Sequence, residues 1–217
     1  MTGIIAHRGF NGLYPENTHR SFEEALKLDI VGIECDVNLT ADGQVVVIHD
    51  LTVDRTSDGS GEVAQMPFDE LRQLNIGTEE DPQQIMLLDE LLDLLEQYPG
   101  KHILIETKHP SPFGAALEEA VADVLRGHGM EADERVHLIS FNPEAIQRFH
   151  RLLPELETFL LADDSFAPVG DCGAGPSVRM AKAHPELLDG RFRTYVWTVN
   201  LPKDMLWLQK LSLIHIS

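Results

Sequence analysis

Short apolar runs rich in isoleucine and valine alternate along the chain with stretches whose apolar residues recur every three or four positions. The runs predict strands at residues 3–7, 31–37, 45–49, 102–107, 136–140, 157–161 and 194–199, each bounded by Gly, Pro, Asn or Asp. The longer period predicts helices between most of them. Residues 18–28 put Phe22, Ala25 and Leu26 on one side, with Ser21 and Glu24 as a capping box. Residues 89–97 carry a stripe of Leu91, Leu92 and Leu95 and stop at Pro99-Gly100, and residues 113–126 bury Leu117, Val121, Val124 and Leu125. Asn142-Pro143 is a strong start signal, because Asn caps and Pro suits the first helical position; that helix runs to about Leu153. A last helix begins near Pro202.

Strand–helix alternation over this length reads as a parallel α/β fold, and polar residues recurring at strand ends favour a barrel over an open sheet. One connection departs from the rule. Only residues 39–44 separate the second and third strands, too few for a parallel crossover, so the pair is expected to form an antiparallel hairpin turning on Thr40-Ala41-Asp42-Gly43. A four-residue turn there sets Glu34 opposite His49. Residues 51–87 have weak periodicity and read as a small insertion over one end of the fold. Residues 211–217 alternate as a strand would but carry no following helix. They are either a terminal strand or a scar that replaced one.

The 217 residues, 43% hydrophobic, suit one domain spanning 1–217. Two cysteines, Cys35 and Cys172, make no disulfide framework. No targeting sequence or apolar span is evident, which leads to the expectation of a cytoplasmic protein without stable membrane association. A net charge of −19 argues against nucleic-acid binding and means that an anionic ligand would need a locally bound cation and a few placed basic groups.

Chemistry concentrates at the strand ends. Glu34 and Asp36 flank Cys35 and therefore share one strand face. Two acids there are either solvated on an exposed edge or buried with a cation, and the apolar neighbours Ile33 and Val37 favour burial. Glu106 and Lys108 repeat the spacing at the end of another apolar strand. Glu106 as a third carboxylate would complete an oxygen-rich pocket of the kind Mg²⁺ or Ca²⁺ prefers, with Lys108 positive beside it. His7 and His49 each end a strand, followed by Arg8 and Asp50, and two such histidines could act as general base and general acid. The other eight histidines read as surface or local contacts. No glycine-rich phosphate loop, zinc spacing or nucleophile motif is present.

In order, His7-Arg8-Gly9, Pro15-Glu16-Asn17-Thr18, Glu34-Cys35-Asp36, Thr40-Ala41-Asp42-Gly43, Val46-Val47-Ile48-His49-Asp50, Arg55-Thr56, Glu106-Thr107-Lys108 and Trp197-Thr198-Val199-Asn200 resemble the glycerophosphodiester phosphodiesterase family. The resemblance implies a distorted (β/α)8 TIM barrel like that of phosphatidylinositol-specific phospholipase C. It implies metal-dependent hydrolysis of glycerophosphodiesters to glycerol 3-phosphate and an alcohol. Glu34, Asp36 and Glu106 would hold a divalent cation, Mg²⁺ or Ca²⁺. His7 and His49 would form the acid–base pair. Arg8 would bind phosphate with Lys108 assisting, Glu16 and Asn17 would brace the site, and Trp197 would line its mouth. The partner is then a small-molecule glycerophosphodiester; oligomeric state stays open. A lysophospholipase D-type phosphodiesterase and a non-catalytic phosphate-binding barrel are the alternatives. The family's closing Gly-Ile-Ile-Thr-Asp strand is missing, which raises the prospect of an open barrel seam at residues 212–217.

Overall fold

The computed structural model describes residues 3–211 and 213–217. The helices and strands follow in chain order: β1 (Ile4–His7), α1 (His19–Leu26), β2 (Gly32–Leu39), β3 (Val45–Val47), α2 (Phe68–Leu71), α3 (Leu88–Glu96), β4 (His102–Thr107) and α4 (Ala116–Gly127). Then come β5 (Val136–Ser140), α5 (Pro143–Leu152), β6 (Glu157–Ala162), β7 (Gly173–Pro176), α6 (Val178–Ala183), β8 (Tyr195–Val196), α7 (Pro202–Lys210) and β9 (Ile214–Ile216). Strands β7-β6-β5-β4-β2-β1-β9-β8 are neighbours in that order and all pair in parallel. Parallel bridges Ala174–Thr194 and Ser177–Trp197 join β7 to β8, so the sheet closes on itself as a distorted (β/α)8 barrel.

Strand alternation sorts the side chains. On β2 and β4, Ile33, Cys35, Val37, Ile103 and Ile105 face the helices and pack with Phe22, Leu26, Leu91, Leu92, Leu95, Leu117, Val121 and Leu125. The opposite face fills the barrel, where Ile5, Leu104, Ile139, Phe159, Leu161, Tyr195 and Ile216 form a separate cluster. Strand β2 is long enough to pair in the barrel and then run on into the hairpin with β3.

Two expectations change, one strand–helix pair is added, and the tail is settled as a strand. The hairpin is antiparallel, but its register is shifted by one residue: Asn38 faces Val46, Thr40 bonds back to Gln44, and Ala41-Asp42-Gly43 form a three-residue loop with Gly43 at φ +80°. That register would bring Cys35, not Glu34, across from position 49, and β3 stops at Val47 before His49 is reached. The α1 capping box is made one turn earlier, with the Thr18 hydroxyl accepting from the Ser21 N–H (3.1 Å) and the Ser21 hydroxyl from the Thr18 N–H (3.2 Å). Strand β7 and helix α6 had no sequence signal, since β7 is Gly-Ala-Gly-Pro. Glycine is required at 173 because a Cβ there would strike the Phe159 ring. The seam is not open: Ile214–Ile216 lies between β1 and β8, pairing Ile5 with Ile216 and Tyr195 with Ile214. Ser212, part of the same tail, lies outside the described residues, as do Met1 and Thr2.

Residues 51–87 cover Val46 and Ile48 through Val53, Val63, Leu71, Ile76 and Ile85. Among the described residues no helix is long and apolar enough to cross a membrane.

Candidate active site

The register of three adjacent strands builds the site. His7 at the end of β1 pairs with Glu34, and Asp36 pairs with Glu106 on β4. Inward-facing positions on adjacent strands therefore bring three carboxylates together, with one oxygen from each lying within 4.8 Å of the others. All three are buried.

The chain beyond β1 turns sharply to serve this cluster. Arg8 and Asn17, neither a glycine, sit at φ +57° and +55°, a conformation costing on the order of 1 kcal/mol each. Each is held by what it gains there. The Arg8 N–H donates to Glu34 Oε2 (3.0 Å), the Asn17 N–H to the Arg8 carbonyl (3.0 Å), and Asn17 Nδ2 to Asp36 Oδ2 (3.0 Å). The Arg8 guanidinium lies 3.1 Å from Asp36 Oδ2 and donates to Glu16 Oε1 (2.9 Å). Lys108 Nζ is 2.6 Å from Glu106 and 3.3 Å from Asp36.

Even with two basic side chains present, negative charge is in excess. Burial, together with the charges of Asp36 and Glu106, pushes the Glu34 carboxyl well up. Burial and Asp36 raise Glu106 to about 7 against the pull of Lys108. Glu34 Oε1 and Asp36 Oδ1 are both buried without a hydrogen-bond partner, with Lys108 Nζ 3.3 Å from the latter. A buried oxygen left bare between like charges is what a hard cation satisfies, so the three residues fit a divalent ion with oxygen ligands. A second grouping, Asp93, Glu96 and His128 on α3 and just past α4, has its two acids exposed at the surface.

A cavity of about 170 Å³ opens over the carboxylates, lined by His7, Arg8, Glu34, His49, Glu106 and Lys108 on one side. Ile139, Phe141, Leu161, Trp197 and Ile216 form the other wall. All the expected site residues except Asp36 line this cavity, and Asp36 sits directly beneath, between Asn17, Arg8 and Lys108. His7 is held neutral at ordinary pH, since burial and then the Arg8 charge bring its pKa down to about 4. The His49 Nδ1 lies 2.5 Å from Asp50 Oδ1. Trp197 donates from Nε1 to the Gly175 carbonyl (2.6 Å) and stands edge-on to Phe141 with ring centres 5.2 Å apart. Apart from Trp197, this apolar wall was missed in the sequence, although Phe141 follows β5 just as Arg8 follows β1. A larger groove of about 590 Å³ between His19, Arg72 and Asp93 is remote from these groups and holds none of them.

Residues 7–215 match the model of the glycerophosphoryl diester phosphodiesterase family. The probable glycerophosphodiester phosphodiesterase 1 of Mycobacterium tuberculosis is 32% identical, over 99% of this chain and 88% of its own. A glycerophosphodiester phosphodiesterase of Bacillus altitudinis is 38% identical over 76% of this chain and 68% of its own. Among solved structures, a phosphodiesterase of Oleispira antarctica in complex with the product sn-glycerol-3-phosphate superimposes with a TM-score of 0.88 at 28% identity, covering 100% of this chain and 92% of that one. With its barrel and its sequence in agreement over nearly its whole length, the chain belongs to the glycerophosphoryl diester phosphodiesterase family.

Proposed function

We propose that this protein, acting as one barrel unit, hydrolyses glycerophosphodiesters to glycerol 3-phosphate and an alcohol, with a divalent cation held by Glu34, Asp36 and Glu106. The observation that carries the reading is the convergence of two histidines, two basic side chains and three buried carboxylates on one small cavity. The product-bound relative from Oleispira antarctica supports the substrate class. Bound there, the cation would polarise a phosphoryl oxygen and offset charge developing at phosphorus.

The protein's own groups do the rest. Arg8 and Lys108 are placed to donate hydrogen bonds to the phosphate oxygens and orient the ester. His7, kept neutral by burial and by Arg8, is ready to take a proton. His49, with Asp50 against Nδ1, is placed to turn Nε2 toward the ester and pass a proton through it. Together they deprotonate the attacking hydroxyl and protonate the leaving alcohol, each transfer contributing about 10²–10⁴-fold. Phe141 and Trp197 form the apolar wall opposite. Small-molecule substrates suit a cavity of about 170 Å³.

Release of glycerol 3-phosphate from a set of glycerophosphodiesters tests this, with and without chelator. Turnover should vanish in EDTA and return with Mg²⁺ or Ca²⁺, and His7→Ala or His49→Ala should lower kcat by about 10²-fold or more with the fold intact. Chelator-insensitive turnover would remove the cation from the reading, and full activity in His49→Ala would remove that histidine.

A further inference from the structure

Arg55 is the first basic residue of the 51–87 insertion, and every side-chain nitrogen it has is used. Its Nε donates to Asp50 Oδ2 (2.6 Å), while Nη1 and Nη2 donate to the two oxygens of Glu16 (2.9 and 2.8 Å). The other oxygen of Asp50 meets His49 Nδ1, and Glu16 also receives Arg8. An unbroken series of polar contacts thus runs from the His49 ring through Asp50, Arg55, Glu16 and Arg8 to Asp36. The Arg55 backbone is fixed by a tight turn on the fully buried Val53, whose carbonyl accepts the N–H groups of Thr56 and Ser57.

Stability is a poor reason for this arrangement. The Arg55 side chain is 49% exposed, and exposed ion pairs contribute about 0–1 kcal/mol, with a bidentate network such as this one toward the upper end. Geometry is a better one. A guanidinium bonded through all three nitrogens has its plane and position set, and it fixes both carboxylates that it bridges. Asp50 cannot then rotate away from His49.

We propose that Arg55 is a positioning residue for the phosphodiesterase reaction. By clamping Asp50 onto Glu16, it holds the His49 imidazole in the orientation and tautomer that carry the proton on Nδ1 and leave Nε2 to exchange a proton with the ester. The inference rests on the acid–base reading of His49 given above.

The test compares Arg55→Ala, Asp50→Ala, the double variant and His49→Ala in the full chain with saturating Mg²⁺. Arg55→Ala should lower kcat by about 10–100-fold with KM little changed, the loss expected of a misaligned proton carrier. Arg55→Lys, which can meet one carboxylate but not both, should fall between. The double variant should be no worse than the more damaging single one, because both break one series. Thermal midpoints should stay within about 4 °C of wild type. Nitrogen NMR of the His49 ring should place the proton on Nδ1 in wild type and shift it toward Nε2 in Asp50→Ala and Arg55→Ala. Wild-type kcat in Arg55→Ala beside an inactive His49→Ala overturns the proposal, as do multiplicative losses in the double variant. An active His49→Ala instead defeats the acid–base reading, and the ring tautomer in Arg55→Ala then decides the clamp alone: an unmoved proton overturns it.

Discussion

Glu34 has one carboxylate oxygen on the Arg8 N–H and the other bare, while Glu106 shares Lys108 with Asp36. Without a cation the three acids oppose one another in a buried place. The consequence for pH has a definite sign. Glu106 rises from 4.5 in the unfolded chain to about 7 in the fold, so below 4.5 it is protonated in both states and costs nothing. As pH climbs from 4.5 through 7 the folded carboxyl is forced to ionise later than the unfolded one, and stability is lost over that window. Glu106→Gln should therefore raise the thermal midpoint of chelated protein by several degrees at pH 8 and make no difference at pH 4, while abolishing most turnover. Saturating Mg²⁺ or Ca²⁺ should stabilise wild type at pH 8 far more than the variant. Differential scanning calorimetry in EDTA and in cation checks both; an equally stabilised variant would take Glu106 out of the cation site. Alternation and strand ends are what bring His7, Glu34, Asp36, Glu106 and Lys108 together, and these were legible in the sequence; His49 reaches the same cavity from the bend two residues past β3, not from a strand end. The Arg55–Glu16 contact was not, since the two are 39 positions apart and nothing local joins them.

At the scale of elements, a buried acid away from the cavity ties the loop after β4 to two helices. Glu118 on α4 is fully buried, with His109 Nε2 at 2.6 Å and Arg148 Nε of α5 at 2.5 Å. His109, read from sequence as a local or surface contact, is one of its partners. Removing one member of a buried ion group leaves the rest uncompensated and costs about 3–5 kcal/mol. Glu118→Ala should lower stability by that amount in urea titrations; a loss under about 1 kcal/mol would show that water replaces the carboxylate. The closing strand makes a second case. Ile216 is 2% exposed and packs inside the barrel with Ile5, so Ile216→Ala should cost about 2–5 kcal/mol. A neutral change would mean that β9 does not close the barrel in solution. Strands β1, β2, β4, β5 and β6 were readable because each is an apolar run. Strand β7 was not, because close approach to Phe159 selects glycine over any strand-forming residue, and the hairpin register was missed because the loop length depends on Gly43 taking positive φ.

For the whole molecule, charge sets the approach of substrate. The chain carries −19, while the cations of the cavity, Arg8 and Lys108, are already matched against carboxylates. An anionic diester must cross a repulsive field before it meets them. Long-range repulsion is screened by salt, with the Debye length falling from about 30 Å at 0.01 M to about 8 Å at 0.15 M. Attraction inside the cavity acts over a few ångströms and is screened far less. Raising ionic strength across that range at saturating Mg²⁺ should therefore increase kcat/KM for a diester of net charge −1, such as one with a glycerol head group. A zwitterionic diester with a choline head group, whose net charge is zero, should change little. The ratio of the two isolates the field from general salt effects on the protein. A fall for the anionic substrate would mean that the bound cation, and not the surface charge, dominates the potential at the cavity mouth.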